Sequence, residues 1–206
     1  WSSDVCSSDL KMAYLIDRLN AQLAREGLNP GTDKARTWLR SKVKSLTVNP
    51  NSLMKDTTRQ SNTINRSLIG RMFFYFYDPK TKDTLSYYDK FPLTIPIELY
   101  RDGFLGLNLH YIHPKQRIML LDKLSDYASN QNYDEKTKLR LSYQTLQAAA
   151  SAFESTPCIK RYLFSHVQSR FMEIYANEWD IAALLPVEQF EKANKNKVWS
   201  DSRKKF

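Results

Sequence analysis

Apolar residues recur every three or four positions early in the chain: Met12, Leu15, Ile16, Leu19 and Leu23 form one stripe, the period of a helix with one buried face. The spacing predicts a helix over about 12–26, closed at Gly27 by a left-handed C-cap before Asn29-Pro30-Gly31 breaks the chain. A second helix is expected from Thr32 or Asp33 as N-cap to about Leu46, with Ala35, Trp38, Leu39, Val43 and Leu46 facing inward. Arg36, Arg40 and Lys44 then share its flank. Residues 47–69 are rich in Asn, Ser and Thr, keep no period, and read as a linker or extended arm.

At Gly70 the pattern changes. The run Met72-Phe73-Phe74-Tyr75-Phe76-Tyr77, ending in Asp78-Pro79-Lys80, is a strand followed by a turn. Leu85 to Tyr88, Leu93 to Tyr100 and Leu105 to Ile112 read as further strands, and Pro92 and Pro96 confine the middle one to an edge or a bulge. His113-Pro114 opens a helix with Ile118, Leu121, Leu124 and Ala128 inward, and Asp134 caps another that ends before Thr156-Pro157. Residues 158–175 fit strand or helix, and strand is favoured because it returns the chain to the sheet. Asn177 caps a short helix through Leu185, and Lys192 to Phe206 is expected to fray. The fold class is α+β: N-terminal helices followed by a small, strongly curved antiparallel β-barrel-like sheet with inserted helices. The expected divisions are N-terminal helices and polar arm over 11–69, an α+β core domain over 70–190, and a basic tail over 191–206.

The first ten residues stand outside that plan. Trp1 to Leu10 back-translates codon by codon into the text of a common sequencing adapter, so residues 1–10 are expected to be an artefact and the native start to be missing. Without their two acids the chain has 31 basic and 20 acidic residues, and its formal charge rises from +9 to +11. Their removal also leaves Cys158 as the single cysteine. One thiol makes no internal disulfide, which fits a reducing cytoplasm. No apolar run approaches the ~18 residues of a membrane span, so no membrane partner is expected. At 42% hydrophobic and 13% aromatic the chain can fill a core, while its positive charge favours a polyanion, most simply nucleic acid.

Catalytic signals are weak. His110 and His113 are the nearest thing to a metal half-site, yet residues three apart on a strand face opposite ways. His166 stands alone. Asp78, Asp83, Asp89, Glu98 and Asp102 are the carboxylates a Mg²⁺-dependent nuclease would use, but four of the five flank turns, where Asp caps local backbone. Only five glycines occur, and the chain lacks a phosphate-binding glycine loop, a nucleophile elbow and a Cys-x-x-Cys pair. No catalytic residue, metal, cofactor or small-molecule substrate is therefore expected.

The basic residues are more suggestive. Arg36, Arg40, Lys42 and Lys44 gather on one helix, Arg59 and Arg66 on the polar arm, and Arg71, Lys80, Lys82, Lys115, Arg117, Lys160, Arg161 and Arg170 at turns and element ends. Exposed cations on rigid supports are what phosphate contacts need, and a solvated face is the plain alternative. Tyr75, Tyr77, Tyr87 and Tyr88 are candidates for stacking on unpaired bases, although alternate members of that run must also fill a core.

Three passages carry a likeness: Arg71 through Lys80, Tyr87-Tyr88-Asp89-Lys90-Phe91-Pro92-Leu93, and Gly103-Phe104-Leu105-Gly106-Leu107-Asn108-Leu109-His110-Tyr111. With looser support from Trp38 to Val43, Arg117 to Leu124, Glu178-Trp179-Asp180 and Leu185-Pro186, the chain resembles over roughly 34–190 the DNA end protector proteins of T-even-like tailed phages, also called terminus-protecting or head-completion proteins. The resemblance implies a small virion protein that binds the ends of a linear double-stranded genome and shields them from host exonuclease after injection, without catalysis. It places the protein in the virion and then in the host cytoplasm, with phage head or neck proteins as further partners. Ser86 stands where that pattern has a Pro, and Ile112-His113-Pro114 replaces a more apolar approach to the helix. The resemblance assigns no DNA-contacting residue, so the site candidates rest on charge and placement. The rivals are a neck or tail-completion protein that binds other virion proteins, and a nuclease.

Overall fold

The computed structural model describes residues 14–65, 69–129 and 158–203, with the backbone alone for 123–129. Arg66, the adapter-like segment and the helix expected after Asp134 lie outside the described residues. The first helix, α1 (Leu15–Arg25), buries Ile16, Leu19 and Leu23 as its spacing requires. Gly27 follows it at φ +65°, and its N–H reaches the Ala24 carbonyl at 3.1 Å while Leu28 N–H reaches Leu23 at 3.0 Å. Those two bonds satisfy carbonyls the helix leaves open, and the positive φ they need is cheap only for glycine. Helix α2 (Asp33–Val43) starts where Thr32 Oγ1 accepts from Ala35 N–H, and buries Ala35, Leu39 and Val43.

The polar stretch after α2 is not a free arm over its described part. Asn49 caps the single turn α3 (Pro50–Leu53), and Asp56 caps a 3₁₀ turn at Thr57–Arg59. Strand β1 (Gln60–Ser61) then joins the main sheet. That sheet contains β2 (Met72–Phe74), β4 (Leu93–Tyr100), β5 (Gly103–Asn108), β6 (Ile159–Leu163) and β7 (Phe171–Ile174), in the order β1-β7-β2-β4-β5-β6 with antiparallel pairing throughout. Among the described residues the sheet is not closed into the expected barrel: β1, only two residues long, does not meet β6. The proline-bearing β4 lies inside the sheet rather than at its edge, and accommodates Pro96 with a register shift between Pro96 and Glu98, the bulge that a missing N–H demands.

Two other expected strands are shorter. Of Leu85 to Tyr88, only β3 (Tyr88–Asp89) pairs, with β8 (Phe190–Glu191) in a separate ribbon. The strand from Leu105 ends at Asn108, whose side chain caps a 3₁₀ turn at Leu109–Tyr111. The ambiguous 158–175 stretch supplies β6 and β7, as strands.

Helices α1, α2, α4 (Pro114–Ser129) and α5 (Trp179–Leu184) share the main core with one face of the sheet, where Met72, Phe74, Leu93, Ile95, Leu107 and Ile174 are buried. The opposite face has its own cluster of Phe73, Tyr75, Tyr77, Phe104, Tyr162 and Phe171. Adjacent side chains of the aromatic run point to opposite faces, so two buried faces explain why it lacks polar alternation. The described part of the C-terminal segment, expected to fray, is docked: α6 (Lys195–Arg203) buries Val198, Trp199 and Ser202. Its Trp199 Nε1 donates to the His110 carbonyl at 2.9 Å and Ser202 Oγ to that of Tyr111 at 2.8 Å. No described helix is long and apolar enough to cross a membrane.

Candidate nucleic-acid interface

The cations singled out in the sequence fall into two populations. Arg36, Arg59 and Arg117 are internal clamps, which corrects their assignment as phosphate contacts. Arg36 turns inward from α2, with Nε 2.8 Å from Asp180 on α5 and another nitrogen paired with Asp122 on α4. Arg59 is held by Asp56 at 2.8 Å, by Glu178 at 2.5 Å and by Asp17 of α1, and lies 4.8 Å over the Tyr175 ring. Burial works against the charge on both guanidiniums, but the hydrogen bonds and opposite charges of their acids outweigh it and raise both pKa values.

Arg117 is fully buried. Its nitrogens donate to the carbonyls of Ile112, Ala183 and His110 at 2.7, 2.9 and 3.2 Å and to Glu188 Oε1 at 2.6 Å. Desolvation lowers its pKa despite Glu188. On the other side of the pair, burial pushes the Glu188 carboxyl up, yet the charges of Arg117 and His110 and local hydrogen bonds hold it below its ordinary value. Four of the five guanidinium N–H donors are used internally, and full burial keeps the fifth from a phosphate.

Arg40 and Lys42 remain exposed on α2 and Lys44 at its C-cap, with Lys42 Nζ 5.3 Å over the Trp38 ring. Lys115 and Arg170 are exposed as well. Arg71 is paired with Glu173 and Lys82 with Asp78, each at 2.9 Å near the surface, where such pairs are worth about 0–1 kcal/mol and exchange easily.

Lys80, Lys160 and Arg161 meet at one place, a cavity of about 240 Å³ between the 77–88 segment and β6. Its aromatic lining comes from Tyr77, Tyr88, Tyr111 and Tyr162. Lys160 Nζ lies 5.0 Å over the Tyr111 ring. Arg161 lies 3.9 Å over Tyr100 and pairs with Asp102, whose side chain is largely exposed. Lys80 is exposed and has no ion-pair partner among the described residues. Burial pushes the hydroxyl pKa values of Tyr77, Tyr111 and Tyr162 upward, so these walls are neutral at physiological pH.

Of the four tyrosines proposed for stacking, the structure places only two in reach of a ligand. Tyr75 is wholly buried against Phe104, Tyr162 and Phe171 and belongs to the core, correcting its assignment. Tyr77 is 7% exposed and shows the cavity little more than an edge, because its hydroxyl accepts from Leu163 N–H at 3.1 Å. Tyr87 is half-buried and leans on Tyr111 at 6.0 Å. Tyr88, half-exposed, faces the cavity. Tyr111 and Tyr162 were missed, although Tyr162 sits two residues from Lys160 in a strand, the spacing that puts two side chains on one face.

Asp89 also reaches the cavity, and its chemistry is already taken. Oδ1 accepts from Phe91 and Gln189 N–H at 3.1 and 3.3 Å, while Oδ2 receives Asn108 Nδ2 at 3.1 Å and meets His110 Nδ1 at 2.8 Å. Four partners fill a carboxylate's lone pairs, so Asp89 works as a structural node. Among the described residues no group of three or more His, Cys, Asp or Glu is placed to hold a metal ion.

The rim of the cavity is fastened from the C-terminal side. Lys192, at φ +65°, directs its ammonium to the carbonyls of Lys82, Asp83 and Leu85 at 2.6, 3.0 and 3.2 Å.

The model of one protein family, described as phage T4 terminal DNA protecting protein, matches residues 32–203. No curated protein and no solved structure matches the chain.

Proposed function

The chain belongs to the family of phage T4 terminal DNA protecting proteins, and from that membership we propose that it binds the ends of a linear double-stranded phage genome and shields them from host exonuclease, with a place in head completion. The observation that carries this reading is the extent of the match, which takes in α2, the whole main sheet and α6. The surviving cations support it. Arg40 and Lys42 lie on one helix with Lys44 at its C-cap, and Lys80, Lys160 and Arg161 share one cavity; each phosphate they neutralise would release counterions and strengthen binding at low salt. Shielding an end by occupying it breaks no bond, so the reading assigns the protein no reaction. It would travel in the virion and act in the host cytoplasm.

A neck or tail-completion role would direct the same cations to acidic patches on other virion proteins. One experiment separates these readings: affinity for a short linear duplex against a covalently closed circle of the same sequence, with survival of the linear form under an ATP-dependent end-entering exonuclease. Tighter binding to the linear form, and its survival, are expected. Equal affinities without protection would move the neck role to first place, and cleavage of either DNA in Mg²⁺ would restore the nuclease.

A further inference from the structure

We propose that the cavity between the 77–88 segment and β6 is a receptor for a single terminal nucleotide, its base against Tyr88 and its phosphates on Lys80, Lys160 and Arg161. The inference rests on the end-binding reading and supplies what charge alone lacks, a feature that only an end can satisfy. Cations attract internal duplex as well as termini, whereas an internal base must be unpaired and pulled from its stack before it can enter a pocket. A terminal base pair frays at far lower cost.

Three observations converge. The cavity, at about 240 Å³, is smaller than the roughly 300–1,000 Å³ of sites that enclose drug-sized ligands, so it suits one planar ring with its sugar rather than a peptide or a duplex end. Of its lining rings Tyr77, Tyr111 and Tyr162 are buried and Tyr88 is not, so Tyr88 is the platform for a base, and stacking on an aromatic ring tolerates every base. Its cations are placed for anion capture: Lys80 is unpaired among the described residues, Lys160 is held over a wall ring, and Arg161 has an exposed acid that a phosphate can replace. Asp89, the carboxylate at the cavity, is saturated by protein donors. It therefore reads no base edge, and the pocket should accept any terminal base with similar affinity.

The test compares three DNAs of one sequence: a closed circle, a linear duplex, and a linear duplex with an abasic terminal nucleotide on each strand. The unmodified linear form should bind tightest, and the abasic ends should cost roughly 5- to 150-fold, the effect of losing one base–ring stack. Tyr88→Ala should lose a similar factor on normal ends and become indifferent to the abasic change, while Tyr88→Phe keeps the ring and should retain binding. Lys80→Ala, at an exposed position, should weaken linear binding with an unchanged melting temperature. Equal binding of abasic and normal ends, with Tyr88→Ala and Lys80→Ala neutral, would overturn the pocket while a linear-over-circle preference left end binding intact. Equal binding of circle and linear DNA would overturn both.

Discussion

Whether a charged side chain serves the inside or the outside of this protein is decided by partners that are remote in sequence. Arg36 sits next to the apolar stripe of α2, at the i, i+4 spacing from Arg40 that suggests a shared solvent face, yet Asp122 and Asp180 draw it inward. Both acids come from other helices, so no local pattern marks the difference. Arg117 was equally opaque, because three of its four partners are backbone carbonyls. Arg117→Ala should destabilise the fold by about 3–5 kcal/mol in chemical denaturation, the scale for leaving a buried charge without its partner. Glu188 gives that pair a pH signature. Its folded pKa is depressed, so the stability it confers is complete above the unfolded carboxyl value, about 4.3, and is lost as pH falls through the folded value. Glu188→Gln should flatten that acid limb of the stability curve; an unchanged limb would show that other carboxylates produce it.

Among the elements, helices with one buried face were legible and segments defined by long-range pairing were not. The stripes of α1 and α2, the Gly27 stop and the Thr32 cap all follow from local spacing. In α6, by contrast, Trp199 and Ser202 bond to the carbonyls of the 109–111 turn, and neither bond is written in a polar, lysine-rich stretch. The β5–β6 pairing that backs the cavity depends on a position where no side chain fits. A Cβ at Gly103 would stand 1.9 Å from the Tyr162 carbonyl oxygen, a backbone atom that can move only with its strand. Gly103→Ala should therefore push β6 outward, speed amide exchange across β6, and lower stability by roughly 1–3 kcal/mol, as overpacking does. Exchange rates matching the parent protein would mean the strands separate without cost.

For the molecule as a whole, the α+β class and strand-rich middle could be read from the period change at Gly70, but closure of the sheet could not. Closure depends on whether the first and last strands meet, and here β1 and β6 do not. Net charge gives the surplus of cations but not which of them are spare. Removing Arg36 from the α2 group leaves Arg40, Lys42 and Lys44 as its exposed set. Neutralising these three should weaken binding to all DNA sequences alike and reduce the salt slope by about 0.9 for each phosphate that is no longer neutralised. An unchanged slope would assign them to solvent or to a protein partner.

Under the terminal-nucleotide proposal, the three carbonyls gripped by Lys192 would give the C-terminal segment a say in how long a bound strand stays. A rim that must loosen before an occupant leaves acts on escape more than on arrival, and affinity differences among related complexes reside mostly in the dissociation rate. The ammonium that closes this latch is carried by a residue in the left-handed region, where a side chain costs the backbone energy. Weakening those three contacts would then shorten residence without altering any group proposed to touch DNA.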